Sequence, residues 1–584
     1  MKWDIKKKFK IPFGPKTSGQ GQNSKFKTDA LFDLLLKNRG ITTKNDREEF
    51  LQPNLDTITA ETVGIEKKEL DKAVKRIEKA IKDQEQIVVF GDYDVDGICA
   101  SAILWETLHG KQANIMPYIP HRVDEGYGLS VAGIKNARSK IKNIALIITV
   151  DNGIVANEAV EFAKANGIDV IITDHHLPHE DEAHRKPAAY AIVHTTKLCG
   201  AGVAWVLAKE FLHNDKKLLN THMTDHLIFA ALATVADMVP LVNGNRAIVK
   251  YGLIELRKTT RVGLRALFEE AGIEQRSIET YQIGHVISPR LNAAGRMESA
   301  MDSLRLLCTR DVRRAKELAN MLGEINKLRQ EETLMATEHA IGQVANGLGQ
   351  KSLPDGKPQM SKLLFIAHES YQQGVIGLVA GKLVERYYRP SIVIAIGDTQ
   401  SKASVRSVRG FNIIEFLRTK SEHFVNVGGH PMAAGFTVET EKIAVLQQIL
   451  EDAAAQVLTD AHLERRISVD CELPLEAVSQ DLYVALQALS PFGIGNPEPV
   501  FCSKTVIKDI RIMGRDGKHI KLRLSPATYK IPDTKYEIEA VGFGMGERVG
   551  EIKVGTEIDV AYTVDENQWN GRKSLQLKLK DLNY

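Results

Sequence analysis

At 584 residues the chain is long enough to form several units, each with its own core. Its 77 Lys and Arg against 74 Asp and Glu leave a formal net charge of +3, so any affinity for nucleic acid has to come from local patches. The five cysteines (Cys99, Cys199, Cys308, Cys471, Cys502) are far apart with no C-x-x-C pair, which argues against a zinc site or a disulfide framework and suits a reducing cytoplasm.

The opening stretch MKWDIKKKFKIPFGPK has lysines but no apolar segment, so it is not read as a secretory signal, and no apolar run approaches the ~20 residues that span a bilayer. Residues 1–28 hold eight lysines against one acid, Asp4, and read as a disordered or loosely held arm. Residues 29–84 come next as a helical segment with alternating charges, broken at Gln52-Pro53-Asn54.

The chain is organised around the stretch Gln86–Ala102, QIVVFGDYDVDGICASA. Ile87–Phe90 suits a buried strand; Gly91 ends it, carboxylates stand at Asp92, Asp94 and Asp96, and Gly97 closes the turn. Ile98–Leu108 reads as a helix lying on the sheet. In open α/β sheets, ligands bind beyond the carboxyl ends of the strands, where these acids fall. A single Asp there would read as a solvated loop acid. Three alternating acids between a buried strand and an apolar helix read as a metal site. D-x-D-x-D-G also opens a calcium loop, but that loop comes after a helix and ends on a Glu at its twelfth position, where this chain has Ile103. Hard oxygen ligands point instead to magnesium or manganese, and a histidine partner favours manganese.

The strand–helix alternation then repeats. Ile144–Val150 is a buried strand ending in Asp151-Asn152-Gly153, and Glu158–Asn166 is a crossover helix stopped by Gly167. Asp169–Thr173 is a third strand, ending in Asp174-His175-His176, and the apolar helix Leu227–Ala236 ends at Asp237. Such alternation indicates a parallel sheet. Each terminal motif alone reads equally well as turn chemistry or a helix end. At successive strand ends they supply five or six hard ligands plus imidazole, enough for two cations about 3.5–4 Å apart sharing a carboxylate.

Further on, Val312, Ala315, Leu318, Leu322, Ile325 and Leu328 define a long amphipathic helix from Asp311 to about Val344, with a break after it over Gly347–Met360. A second α/β rhythm comes next: strands Lys362–Ala367 and Ser391–Ile396 around the helix Val375–Tyr387. That helix contains Gly381-Lys382, but Ile376 and Leu383 stand where a P-loop needs Gly and Ser or Thr. Gly428-Gly429 would let backbone approach a phosphate and His430 could donate to it, although a structural histidine fits the position as well. Ser404 and Arg406 supply a hydroxyl and a guanidinium fork suited to a terminal phosphate. Arg290 and Arg296, on a loop with Pro289 and Gly295, suit a neighbouring phosphate or an interdomain salt bridge equally. From about Leu463 the chain is strand-rich and predicts a small barrel. Between Lys504 and Lys530 it carries eight Lys or Arg against two acids, and Tyr529, Phe543 and Trp569 could stack bases.

D-Y-D-V-D-G, D-N-G, D-H-H and A-D-M-V-P occur in the order of the four motifs of the DHH phosphoesterase superfamily. Gly428-Gly429-His430 resembles the GGH motif of its DHHA1 companion domain. The segments PHRVDEGYGLS (120–130), ISPRLNAAGRM (287–297), QQGVIGLVAG (372–381), SVRS (404–407) and PFGIGNPEPVF (491–501) narrow the resemblance to the single-strand-specific exonucleases of that superfamily, from about Phe90 to the C-terminus. The resemblance implies that Asp94, Asp96, Asp151, His175 and Asp237 hold two divalent cations, Mn2+ or Mg2+, with Asp151 as the bridge. Asp92 and Asp174 would be supporting catalytic acids, and His176 would face the scissile phosphate. Related pyrophosphatases carry a histidine upstream in motif one, where this chain has Phe90. His430 would bind the phosphate from the opposite wall, beside Gly428 and Gly429, with Ser404, Arg406, Arg290 and Arg296 as further phosphate-binding residues.

The expected architecture is α/β: a basic arm and helical segment (1–84), a DHH lobe with a parallel sheet (85–310), a connecting helix (311–346), a DHHA1 lobe (360–460) and an OB-fold barrel (463–584). The implied activity is 5′→3′ degradation of single-stranded DNA to mononucleotides in repair and recombination. The expected protein is a cytoplasmic monomer without membrane attachment, working beside a helicase and a single-strand-binding protein. Two other readings stand beside it. A DHH phosphodiesterase of short oligonucleotides or cyclic dinucleotides would lack the barrel, and a non-catalytic single-strand-binding scaffold would not need acids in all four motifs.

Overall fold

A computed structural model describes residues 1–6, 20–121, 125–126, 128–178, 186–297, 299–347, 350–352, 358–528, 536–569 and 572–584. Tyr529, most of the basic arm and part of the segment 120–130 lie outside the described residues. Among the described residues no helix is long and apolar enough to cross a membrane.

The chain begins with strand β1 (Lys2–Ile5), then α1 (Gln20–Asn38) and α2 (Lys67–Lys82), whose Leu70, Ala73, Ile77 and Ala80 recur at helical spacing and bury one face. The first lobe comprises β2 (Gln86–Phe90), α3 (Val95–Gly110), β3 (Ile115–Tyr118), β4 (Ile144–Val150), α4 (Asn157–Ala165), β5 (Asp169–Asp174) and β6 (Ala191–His194). These strands pair in the order β3-β2-β4-β5-β6, all parallel. Helices cover both faces, which is why β2, β4 and β5 read as unbroken apolar runs rather than alternating ones. One face packs α2, α3 and the apolar α5 (Gly200–Phe211) and α6 (Lys216–Ala236); the other packs α4. α6 starts eleven residues before the apolar run Leu227–Ala236, because the Asp215 carboxylate accepts from the Leu218 amide and caps it there.

The segment with Pro289 and Gly295 is helical, not a loop. A π-turn, Ile283–Ile287, runs directly into α7 (Ser288–Met297). Resetting the i→i−4 ladder just before Pro289 lets the helix tolerate a residue without an N–H. After it, α8 (Val312–Ala345) is 34 residues, or roughly 50 Å long. Ala315, Leu318 and Leu322 at one end join the first core, and Ala340 and Val344 at the other join the core of the second lobe.

The second lobe contains β7 (Leu364–His368), α9 (Ile376–Tyr387), β8 (Ser391–Ala395), β9 (Gln400–Arg406), β10 (Asn426–His430) and β11 (Ala433–Glu439). Its order is β10-β11-β9-β8-β7. Only β7 and β8 are parallel; the other pairs are antiparallel. The α/β rhythm therefore stops after one crossover, because the short link from β8 to β9 can only make a hairpin.

Strand β12 (Arg466–Val469) precedes β13 (Cys471–Glu472), β14 (Phe501–Met513), β15 (His519–Pro526), β16 (Ile538–Gly542), β17 (Glu557–Trp569) and β18 (Arg572–Asn583). The last sheet runs β13-β14-β15-β16-β18-β17, and β14 also pairs with β17, which closes it on itself. The first residues of the expected loose arm are held in a strand, and the helical segment after the arm docks on the barrel. β1 pairs in parallel with β12, and Leu31, Leu34, Leu35 and Leu36 of α1 share the barrel core with Phe501, Ile520, Leu522 and Tyr562. The spacing of those leucines decides the fate of that helical segment.

Leu35 is fully buried there. Leu35→Ala should lower unfolding free energy by about 3 kcal/mol through transfer and cavity costs, read as a lower urea midpoint for the barrel's transition.

Candidate metal centre

The strand β2 delivers its acids into a helix start. Asp94 caps α3, its Oδ1 accepting from the amides of Asp96 (2.9 Å) and Gly97 (3.2 Å). The amide of Val95 in turn donates to Asn292 Oδ1 of α7 at 2.8 Å, fixing the loop against that helix. Asp96 is turned across the sheet end: its two oxygens accept from the Gly200 and Ala201 amides, both at 2.6 Å, at the N-terminus of α5. An anion placed there is stabilised by amides with no helical partner and by the positive end of the helix dipole.

Asp151, at the end of β4, adopts φ +63°, a left-handed conformation rare for a residue with a side chain. The next residue holds the turn: Asn152 Nδ2 donates to the carbonyls of Phe90 and Val150 and its Oδ1 accepts from Leu129 N. Gly200 makes room for Asp151, since a Cβ on it would lie 2.6 Å from Asp151 Oδ1. At the end of β5, Asp174 accepts from the amides of Ile154 (2.8 Å), His175 (2.7 Å) and His176 (3.1 Å) and meets His176 Nδ1 at 2.8 Å. Asp174 thus orients the second histidine. His194 of β6 reaches the carbonyl of His176 at 2.7 Å and holds the same turn from the other side.

The three strand ends meet at His175. Its Nε2 lies 3.1 Å from Asp151 Oδ1, 3.6 Å from Asp96 Oδ2 and 3.7 Å from Asp237 Oδ2, the last at the C-terminus of α6. Three overlapping groups have donor atoms within 4.8 Å of one another: Asp96–His175–Asp237, Asp151–His175–His176 and Asp92–Asp94–Asp151. Asp151 belongs to two of them. Phe90 packs on Tyr118, ring centroids 5.2 Å apart, so apolar packing occupies the position where related pyrophosphatases carry histidine.

Crowding sets the electrostatics. Burial, then Asp96 and Asp94, push the Asp237 carboxyl up to about 8. Burial and four neighbouring acids push Asp151 well above the usual carboxylate range. Burial and Asp96 push Asp94 up as well. Burial would also raise Asp174, but its bond to His176 and the backbone amides hold it below its usual value. Burial holds the His175 imidazole down, against the pull of Asp96. Carboxyl groups that resist ionising together, arranged around a neutral imidazole, are the donor set of a hard divalent cation.

A second wall faces this cluster. His430, at the end of β10 after Gly428 and Gly429, lies with its ring centroid 6.3 Å from that of His176 and tilted 23° to it. On β9, Arg406 donates to Ser404 Oγ at 3.2 Å and to the Val405 carbonyl at 2.9 Å. Both side chains sit under the start of α9, where a Cβ on Gly377 would be 2.9 Å from Ser404 Oγ and 3.0 Å from Arg406 Nη2. Arg296 joins this neighbourhood from the first lobe, donating to the Gly374 carbonyl at 3.1 Å. Arg290 does not. Its guanidinium is committed to Glu270 (2.6 Å) and the Val286 carbonyl (3.0 Å), because a helical position turns it onto the neighbouring helix. Its ion pair lies within the first lobe and is not the interdomain salt bridge expected as the alternative.

Sequence reasoning missed Gly200, Ala201, Asn152, Asn292 and His194. The run Gly200-Ala201-Gly202 opening an apolar helix was the available signal for the first two. It also missed a charged group inside the helical layer, where Glu106 meets His226 (2.9 Å) and Arg261 (2.5 Å), which also reaches Asp225 (2.6 Å). Although burial opposes it, His226 and Arg261 hold Glu106 down to about 2.

A DHH-family domain model matches residues 86–233, a DHHA1 model 360–456 and a RecJ OB-domain model 469–581. These matches make the molecule a DHH-type phosphoesterase in class. The single-stranded-DNA-specific exonuclease RecJ of Bacillus subtilis is 35% identical over 569 residues, 95% of this chain and 68% of that protein. RecJ of Haemophilus influenzae is 31% identical over 94% of this chain and 95% of its own length. The crystal structure of Thermus thermophilus RecJ in complex with Mn2+ superposes with a TM-score of 0.78 at 28% identity, covering 95% of this chain and 76% of that one; its complex with Mg2+ gives 0.72 at 27%, covering 95% and 74%. The chain belongs to the RecJ family. The likeness extends beyond the expected start near Phe90 and includes the N-terminal helices.

Gly200→Ala drives a methyl group into Asp151 without exposing core. It should weaken Mn2+ binding by roughly ten- to a hundred-fold, read by isothermal titration, together with a modest fall in melting temperature from overpacking against buried Asp151.

Proposed function

We propose that this protein is a metal-dependent exonuclease that degrades single-stranded DNA from its 5′ end to mononucleotides. The observation that carries the reading is the meeting of Asp96, Asp151 and Asp237 around His175, with His430 facing His176 from the second lobe. Asp94, Asp96, Asp151, His175 and Asp237 would hold two divalent cations, Mn2+ or Mg2+, with Asp151 shared. When bound, such ions polarise a phosphate and supply a nucleophilic hydroxide at neutral pH.

The chain's own residues do the rest. Asp174 fixes the ring of His176 toward the cleft, and His430 with the open backbone at Gly428 receives the phosphate from the opposite wall, while Gly429 is needed for its left-handed backbone and close packing on Ala433 and Ala434. Asp92, packed behind Asp94 and Asp151, adds negative charge that strengthens cation binding. Ser404, Arg406 and Arg296 meet around the start of α9 and form a site for the 5′-terminal phosphate. The closed barrel, with its basic residues between Lys504 and Lys521, holds the trailing strand by charge and stacking. Single strands have to be released from duplex or from a covering protein, so a helicase and a single-strand-binding protein are the expected company.

Asp151→Ala removes the shared ligand and only the three carboxyl atoms beyond Cβ, and it also relieves the repulsion among the buried acids. It should abolish hydrolysis in Mn2+ while the protein remains folded by circular dichroism; a folded variant with substantial activity would rule out this metal assignment.

Arg406→Ala should raise KM for 5′-phosphorylated strands and narrow their advantage over 5′-hydroxyl strands, with metal affinity unchanged. End-labelled substrates check the polarity, which requires the 5′ label to appear first as mononucleotide.

A further inference from the structure

The backbone after Asp237 carries an outlier. Met238 adopts φ +56° and leaves its side chain 68% exposed beside a residue of the metal cluster. Left-handed backbone is disfavoured for L residues, and a large exposed apolar group gains nothing from folding, so the arrangement points to a ligand. Further exposed apolar side chains stand between this point and the barrel. The Leu241 amide donates to the Ile494 carbonyl at 2.7 Å, and a Cβ on Gly493 would lie 2.8 Å from Leu241 Cδ1, so the loop before β14 sits directly on the segment after Asp237. Ile494, on that loop, is 53% exposed. The carbonyl of Phe492 accepts from Thr280 Oγ1 at 2.8 Å. The next residue, Tyr281, is 62% exposed and lies on the His285 ring, with centroids 4.5 Å apart and planes within 15°. His285 belongs to the π-turn, a rare geometry that concentrates at functional sites.

We propose that Met238, Ile494 and the Tyr281–His285 stack form a base-contacting track that carries single-stranded DNA from the barrel to the metal centre. The proposal rests on the substrate reading given above. Flat, sequence-independent apolar contacts match a chain of unpaired bases, each of which has a π face whatever its identity. Separate exposed side chains do not make the contiguous patch a protein partner needs. The track also explains why the loop Phe492–Asn496 is bound to the segment after Asp237: it sets the direction in which the strand leaves the site.

Tyr281 is exposed, so its truncation opens no core. The test compares the wild-type chain with Tyr281→Ala, Tyr281→Phe and Ile494→Ala on a 5′-phosphorylated 20-nucleotide strand and on the dinucleotide pdTpdT, in Mn2+. Tyr281→Ala should raise KM for the long strand by about ten-fold, with Ile494→Ala smaller in effect and Tyr281→Phe near wild type. Turnover number and dinucleotide cleavage should be unchanged. The dependence of long-strand KM on salt should keep the wild-type slope, because no phosphate contact is lost. A wild-type KM for the long strand in Tyr281→Ala, with the dinucleotide still cleaved, overturns the track and leaves the exonuclease reading standing. Failure of the wild-type chain to cleave either substrate overturns that reading and the track with it.

Discussion

Asp92, Asp96, Asp151 and Asp174 are each no more than 2% exposed at the ends of three neighbouring strands, where water cannot screen their repulsion. Like charges gathered this way disfavour ionisation, and the first lobe compensates one acid at a time. Asp96 takes the amides at the start of α5, Asp174 takes three amides and the imidazole of His176, and Asp94 caps α3. The compensation for Asp94, Asp151 and Asp237 is incomplete, as their raised carboxyl values show. That residue of repulsion is what a divalent cation removes. Residues with no catalytic chemistry, such as Gly200 and Asn152, therefore constrain the centre as tightly as its ligands.

The second dependency is mechanical. The buried guanidinium of Arg246 lies 3.7 Å over the Phe50 ring and donates to the carbonyls of Phe50, Ser490 and Pro491. One side chain on the first lobe thereby grips the N-terminal segment and the approach to the barrel together. At the far side α8 lends apolar residues to two cores, and Arg296 reaches the loop before α9. The walls of the cleft are held at both ends by packed or hydrogen-bonded groups, so the 6.3 Å spacing of His176 and His430 is set by the scaffold.

The sequence made the centre legible because its acids come directly after strands buried on both faces, and an unbroken apolar run ending in charge is a local signal. Val150 and Asp151 are neighbours in the chain and at the site alike. The edge strands β3 and β6 were harder to see: each is four residues long and partly solvated, too short for a periodicity to declare itself. The fate of Arg290 could not be read locally either, since a π-turn and an ion pair with Glu270, 20 residues away, decide its direction. The same holds for the N-terminal helix. Its leucines look like any amphipathic face until the barrel that receives them is known.

The docking of that helix on the barrel bears on how the molecule is made. Trp3 Nε1 donates to Asp581 Oδ2 at 2.8 Å across 578 positions, and the leucines of α1 have their partners on strands that begin at Phe501. A ribosome adding about 5–20 residues per second leaves that greasy helix face without its partners for roughly half a minute or more.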